Sequence, residues 1–351
     1  MAITSKLLLI QSQAPTVDSP TRSPARDLPK ELREVSVVRI SDPTAVGDVN
    51  EAFDMDVINL DPKNFEYTQV TVPLVECILI YQHTNAALRT RSRIYKNFES
   101  CFILGPHASG SFDGTELYPY ALIAAGPGAQ AEVIVDSGYE NVGWLVPTHI
   151  LDKHLALRGK KRDFVIPEDP EVWHPAADVA QNLFELGARI AATAEKSPNI
   201  FNDNHWARYG AEVEFMDSLL ATIESCGPDE SIDADKKGRS YSQIVRACED
   251  YTLSLDGRRL YVSELCATAD VSERTVQNAF QDIMGMSPMT YLHRLRLHRA
   301  RGELRKAKSG ATTVTEVALN WGFWHFGEFS RAYRNCFGEV PSRTLRRNVS
   351  D

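Results

Sequence analysis

The chain has 351 residues, enough for two domains, and an ordinary globular composition with 43% hydrophobic and 24% charged residues. The longest apolar run near its start, "LLLI" at 7–10, is too short for a signal-peptide core or a membrane span, so neither export nor membrane insertion is expected. The net charge of −9 is unevenly distributed: from Gly257 onward 15 Lys and Arg stand against 9 Asp and Glu, whereas before it 23 stand against 38. A basic end on an acidic body suits a module that binds a polyanion.

The six cysteines (Cys77, Cys101, Cys226, Cys248, Cys266 and Cys336) form no CxxC pair, which points to reduced thiols and a cytoplasmic protein. No zinc-ligand spacing, P-loop, GxGxxG or HExxH occurs, so the common enzyme signatures are missing. Residues 1–30, punctuated by Pro15, Pro20, Pro24 and Pro29, read as a flexible tail. Between 34 and 146 come eight short β-rich runs: "EVSVVRI", "YTQVTV", "ECILIYQ", "RTRSRI", "SCFILG", "YALIAAG", "AEVIVD" and "VGWLVP". Their number predicts a β-barrel, cupin-like in layout, whose interior could hold one small molecule. Cys77, Tyr81, His83 and Trp144 lie on these strands as candidate effector contacts, with a core role as the alternative for each. Arg89, Arg91 and Arg93 alternate on one strand, as a solvated face or an anion site. His83 and His107 stand singly with no HxH, so no catalytic metal is expected.

Helical spacing follows at 149–157, 176–195 and 203–226, completing an effector-binding and dimerisation domain over 31–226. In the last of these, Trp206, Tyr209, Val213, Met216, Leu220 and Ile223 form a stripe that suits either a dimer seam or packing on the barrel. Residues 227–240 are the best linker, leaving an all-α domain over 241–351 and an α+β chain overall.

That last domain contains a repeat. Val262, Leu265, Cys266 and Ala269 define one buried helical face; after the turn "ADV", Ser272 caps a second helix with Val276, Ala279, Phe280 and Ile283 inside. Its outer side carries Arg274, Gln277, Asn278 and Gln281, with Thr275 beside them, side-chain types that read base edges. Adding 52 or 53 recovers Val314, Val317, Ala318 and Trp321, then Phe329, Ala332, Tyr333 and Cys336. Gly338 and Pro341 answer Gly285 and Pro288, which makes chance resemblance of two amphipathic pairs a poor explanation. Two helix-turn-helix units are therefore expected, at about 262–283 and 314–337. The second would read DNA with His325, Phe326, Gly327, Ser330, Arg331 and Arg334. Most aromatics of "WGFWHFGEFSRAYR", Trp321, Trp324, Phe329 and Tyr333 among them, are expected to fill core.

A linker helix from Pro288 to Lys306 has two apolar faces, Tyr291, Leu292 and Leu295 opposite Leu297, Ala300 and Leu304, so it should brace both units. Its length of about 28 Å approaches the ~34 Å between successive major-groove faces. Arg294, Arg296, Arg299, Arg305, Lys306, Lys308, Arg343, Arg346 and Arg347 supply charge for phosphates, with about half expected to touch DNA and the others to be solvated surface.

"SPMTYLHRLRLHRARGEL" and "TEVALNWGFWHFGEFSRAYRNCFGEVPSRTL" resemble the linker helix and second helix-turn-helix of the AraC/XylS family of transcription regulators. Within that family "RTVQNAF" and "WGFWHFGEF" look most like the ethanolamine-utilisation operon regulators; regulators of aromatic-acid catabolism share the style of the second unit. The resemblance implies a regulator, an activator in the main reading, that binds double-stranded DNA, a small-molecule effector, RNA polymerase and a second copy of itself, with no cofactor and no membrane. It places base reading on Arg274, Gln277 and Asn278 in the first unit and on Ser330 and Arg331 in the second. His325 stands where the family favours a Ser-type cap. An enzyme with an accessory DNA module is the competing class; it needs a reactive thiol, and Cys77 and Cys101 sit in apolar strands.

Overall fold

The computed structural model describes residues 33–49, 53–61, 65–94, 98–159, 164–226, 236–308 and 310–347. The tail expected over 1–30 and the linker up to 235 lie outside the described residues.

The first half builds two antiparallel sheets. One has the order β1 (Ser36–Ile40), β3 (Tyr67–Pro73), β4 (Ile78–Thr84), β11 (Glu140–Pro147), β6 (Phe98–Leu104), β9 (Leu122–Ala125) and β12 (Glu171–Trp173). The other runs β2 (Phe53–Asn59), β5 (Leu88–Ile94), β10 (Gln130–Val135), β7 (Gly110–Phe112) and β8 (Thr115–Leu117). Among the described residues no ladder joins the edge of one sheet to the edge of the other, so the expected closed, cupin-like barrel is instead a pair of open, facing sheets. All eight β-rich runs form strands. The four strands without a matching run explain the miscount: β7, β8 and β12 have three residues each, too few to alternate, and β2 interleaves Asp54 and Asp56 with its apolar residues.

A short α1 (Val46–Val49) precedes β2, and α2 (Thr148–Leu157), α3 (Ala177–Lys196), α4 (Asn199–Asn202) and α5 (His205–Glu224) follow β11. In α3 the residues Ala180, Leu183, Phe184, Gly187, Ile190, Ala191 and Ala194 repeat at threes and fours, and this face packs on the seven-stranded sheet. Gly187 permits the contact: a Cβ there would come within 2.4 Å of Val142 Cγ1. Phe215 of α5 stacks on Trp144 at 4.3 Å, and Met216, Leu219, Leu220 and Ile223 join the same core. The stripe on α5 thus packs on its own domain along its second half. Trp206 and Tyr209 at its start are 75% and 49% exposed.

The five-stranded sheet has two unlike faces, because successive strand residues point to opposite sides. Leu88, Thr90 and Ser92 of β5 face the other sheet, as do Ala131 and Val133 of β10. Arg89, Arg91, Asp56, Glu132, Ile58 and Ile134 face the C-terminal helices. Arg89 and Arg91 are therefore neither solvated nor an anion site, whereas Arg93 at the end of the row is exposed. Arg89, only 1% exposed, pairs with Glu132 at 3.0 Å and with Glu249; Arg91 also reaches Glu249 and meets Asp250 at 2.7 Å. Burial opposes the Arg89 charge, but Tyr291, Glu249, Glu132 and Asp56 around it raise its pKa and hold it protonated.

Glu249 belongs to α6 (Lys236–Leu253), which begins inside the expected linker and crosses the expected boundary at 241. It packs on α7 (Val262–Ala269) and α8 (Glu273–Met284), and α9 (Pro288–Lys306), α10 (Val314–Asn320), α11 (Phe326–Phe337) and α12 (Pro341–Arg347) complete the domain. α9 has the two expected apolar faces. Tyr291, Leu292 and Leu295 join the core of α6 to α8, while Leu297, Ala300 and Leu304 join that of α10 and α11.

α9 also carries His298, buried against Phe337 at 5.0 Å. Burial, helped by Arg294, pushes its pKa down to about 3. The unfolded chain then binds one proton more than the native one between about pH 6.5 and 3, so stability from this site is complete above pH 6.5 and falls as the pH drops. Chemical denaturation at pH 7 and pH 4 is expected to show the wild type losing roughly 2–3 kcal/mol more than His298→Leu between the two. Equal losses would show that His298 is hydrated in solution.

Candidate nucleic-acid interface

The first unit is assembled by local chemistry. Glu264 accepts from the Tyr261 N–H at 3.1 Å at the start of α7, and Asp270 takes the left-handed conformation (φ 54°) that ends it. Ser272 Oγ accepts from the Thr275 N–H at 3.2 Å and opens α8, which Gly285 closes at φ 67°. Val276, Ala279, Phe280 and Met284 are buried, so Arg274, Gln277, Asn278 and Gln281 are left exposed along one face, with Ser272 exposed and Thr275 half-buried at its start. Gln277 donates to Glu273 at 3.1 Å, a bond open to exchange for a base edge.

In the second unit Thr313 and Glu316 form a reciprocal cap, Thr313 N–H to Glu316 Oε2 at 2.7 Å and Glu316 N–H to Thr313 Oγ1 at 3.1 Å. Gly322, at φ 78°, makes the turn. His325 occupies the N-cap of α11 without a side-chain cap bond, as the departure from a Ser-type residue implied. Phe329 and Tyr333 are buried; His325, Phe326, Gly327, Arg331 and Arg334 are exposed, and Ser330 is half-buried. The structure thus brings every expected DNA-reading residue onto the outer side of α8 or α11 or at its start. Trp321 is half-buried, donating Nε1–H to Glu303 at 2.7 Å. Trp324 differs from expectation: it is 54% exposed beside His325 and Phe326 and extends the apolar edge of this unit. The repeat aligned it with Val271, a turn position, and a turn does not fix which way its side chain points.

Several cations expected to seek phosphate have other partners. Arg299 grips Asp56 with two bonds of 3.0 and 2.6 Å, Lys306 meets Asp48 at 3.0 Å, and Arg305 lies 3.2 Å from Asp48. Arg294 donates to the Leu60 carbonyl, and Arg296, 7% exposed, donates to that of Arg258 at 3.2 Å. The missed residue in this group is Arg301, which joins Asp42 of the first domain at 2.8 Å to Glu339 at 3.1 Å. Burial alone would raise the Asp42 pKa, but Arg301 and Arg305 hold it below the usual carboxylate range. Lys308, Arg343 and Arg346 are exposed; the side chain of Arg347 is outside the described residues.

The competing chemistry finds little purchase. Cys77 is buried, and burial together with Glu212 pushes its thiol well above the usual range; Cys101 is buried too. Cys77 and Trp144, with half-buried Tyr81 packed against them, belong to the core between the seven-stranded sheet and the helices. Of the four expected effector contacts only His83 borders the cavity between the sheets.

The family described as "Helix-turn-helix domain" matches residues 265–347, which takes in the second unit and the first from within α7 onward. The "Probable thc operon regulatory protein" of Rhodococcus erythropolis is 38% identical over 103 residues, 29% of this chain and 31% of that protein, so that match spans under a third of the relative. The "XylDLEGF operon transcriptional activator 1" of Pseudomonas putida is 32% identical over 267 residues, 72% of this chain and 77% of that one. The crystal structure of a "probable AraC family transcriptional regulator" from Rhodopseudomonas palustris is 40% identical over 30% of this chain and 97% of that one, with a TM-score of 0.28. The Pseudomonas match is too long to be confined to the helical domain, and with the paired reading helices it shows that this chain belongs to the AraC/XylS family of DNA-binding transcriptional regulators.

Proposed function

We propose that the protein is a sequence-specific transcription activator of the cytoplasm that responds to a small molecule held in its first domain. The observation that carries the reading is the pair of exposed polar helix faces, on α8 and α11, braced by one two-faced helix. Activation is brought over from the Pseudomonas putida relative, whose name makes it a transcriptional activator, and RNA polymerase is the partner that activation requires. Among the described residues no helix is long and apolar enough to cross a membrane. A homodimer is part of the proposal, with exposed Trp206 and Tyr209 as the surface to test.

The resemblance to ethanolamine-utilisation regulators rests chiefly on "RTVQNAF" and "WGFWHFGEF", which both lie in the DNA-reading units, and only weakly on the N-terminal order of strands ending near "VGWLVP" and then helices. It therefore bears on how DNA is read more than on which molecule is sensed. Arg274→Ala is expected to cost about 1–3 kcal/mol of binding to a selected site and to relax preference at one base pair. Competition between selected and scrambled duplexes checks this; a uniform loss on all sequences would make Arg274 a phosphate contact. A footprint covering a single groove segment would refute the two-unit reading.

A further inference from the structure

The cavity between the two sheets has a volume of about 100 Å³, and its wall is mostly apolar. Leu88, Val133, Phe102 and Ile123 contribute from both sheets. Among the residues that line it there is no Asp, Glu, Lys or Arg. Strand alternation is the cause. Every charged residue of the central strands of the five-stranded sheet lies on the far face, where Arg89, Arg91 and Glu132 meet Glu249. His83, also at the cavity wall, stands between Gln82 and Thr84 and opposite Glu140 in the ladder, so its ring belongs to the helix side of its sheet and only its backbone borders the cavity.

Gln82, Tyr67 and Asn141 of the wall form one short chain, with Tyr139 also bonded to the Asn141 side chain, while Thr84, Thr90 and Ser92 stand apart from it. Gln82 Nε2 donates to the Tyr67 hydroxyl at 2.8 Å and to Gln69 at 3.0 Å, and Asn141 Nδ2 donates to Gln82 Oε1 at 3.1 Å. The chain ends on an acceptor. Asn141 Oδ1 is buried and has no hydrogen-bond partner, a costly state unless something supplies a donor. An apolar cavity of roughly 150 Å³ holds a benzene ring, so this one is on the scale of a single ring.

We infer that the cavity takes an uncharged, mainly apolar molecule of about one ring, carrying a hydroxyl or N–H donor for Asn141. This rests on the reading that the first domain senses a small molecule, and it names the class. A carboxylate or an ammonium would be buried there without a counter-charge, which is heavily penalised. The inference therefore separates this chain from sensors of aromatic acids and of ethanolamine alike.

The test uses the full-length protein with benzyl alcohol, toluene, benzoate and ethanolamine as probes, followed by thermal unfolding. Benzyl alcohol is expected to raise Tm saturably, and toluene to bind about tenfold more weakly for want of the donor. Benzoate and ethanolamine are expected to give no saturable shift. Asn141→Leu should erase the advantage of benzyl alcohol over toluene, and Ala131→Phe should abolish both shifts by filling the cavity. If one variant fails to fold, the other still decides. No shift with benzyl alcohol, an equal or larger shift with benzoate or ethanolamine, or shifts unchanged in the folded variants would each overturn the inference. Specific binding to duplexes selected from random DNA is measured separately. Its failure would sink the regulator reading, whatever the probes show.

Discussion

Arg89→Ala is expected to lower the unfolding free energy by about 3–5 kcal/mol, because it strips a buried charge group of its central cation. Arg89, Glu132 and Glu249 are each only 1% exposed, and Tyr291 donates its hydroxyl to Glu249 from the other side. With Arg89 gone, Glu132 and Glu249 share Arg91, which is half-buried and already committed to Asp250. Two carboxylates in one dry site would then have to protonate or admit water. Burial raises the Glu249 pKa even in the intact protein, with Arg89 foremost among the groups pulling it back, so the variant should be least impaired in acid. Urea unfolding at pH 7 and pH 5 measures both effects. A loss below ~1 kcal/mol at pH 7, the value of a solvent-exposed pair, would mean that water enters this interface.

Phe329→Ala should be comparably damaging, by about 3–5 kcal/mol, with a more local result. Phe329 is 1% exposed and packs its ring 4.8 Å from Phe323 and 5.7 Å from Tyr333, at the centre of the second unit. The first unit keeps its own core around Phe280 and Leu265, on the other face of α9. The expected outcome is a footprint shortened to one groove segment, with base preference retained where α8 reads. Loss of all specific binding would instead show that α9 welds both units into one cooperative body.

The helix-turn-helix repeat was legible because its signals are local. A cap at Ser272, a stop at Gly285 and an apolar period of threes and fours owe nothing to distant partners. The sheets were legible only in part. β4 and β11 are buried on both faces, so sequence alone could not tell Trp144, which packs on α5, from Asn141, which lines the cavity. β2 went unread because Asp54 and Asp56 break its apolar run, and Asp56 is there to meet Arg299. The same blindness governed α9. A run of arginines announces positive charge, but whether its counter-ions are phosphates or Asp42, Asp48 and Asp56 depends on residues about 250 positions away. Trp324 shows the opposite limit, a large aromatic side chain that its turn leaves in solvent.

The strand alternation of β5 and β10 has an evolutionary corollary. Positions 88, 90, 92, 131 and 133 face the cavity, while 89, 91, 132 and 134 hold the DNA-binding domain. Cavity lining and inter-domain grip are thus written on interleaved residues of the same strands and can be edited independently. Selection, or an engineer, could change the lining of the cavity through the first set while the docking of the two domains stays fixed.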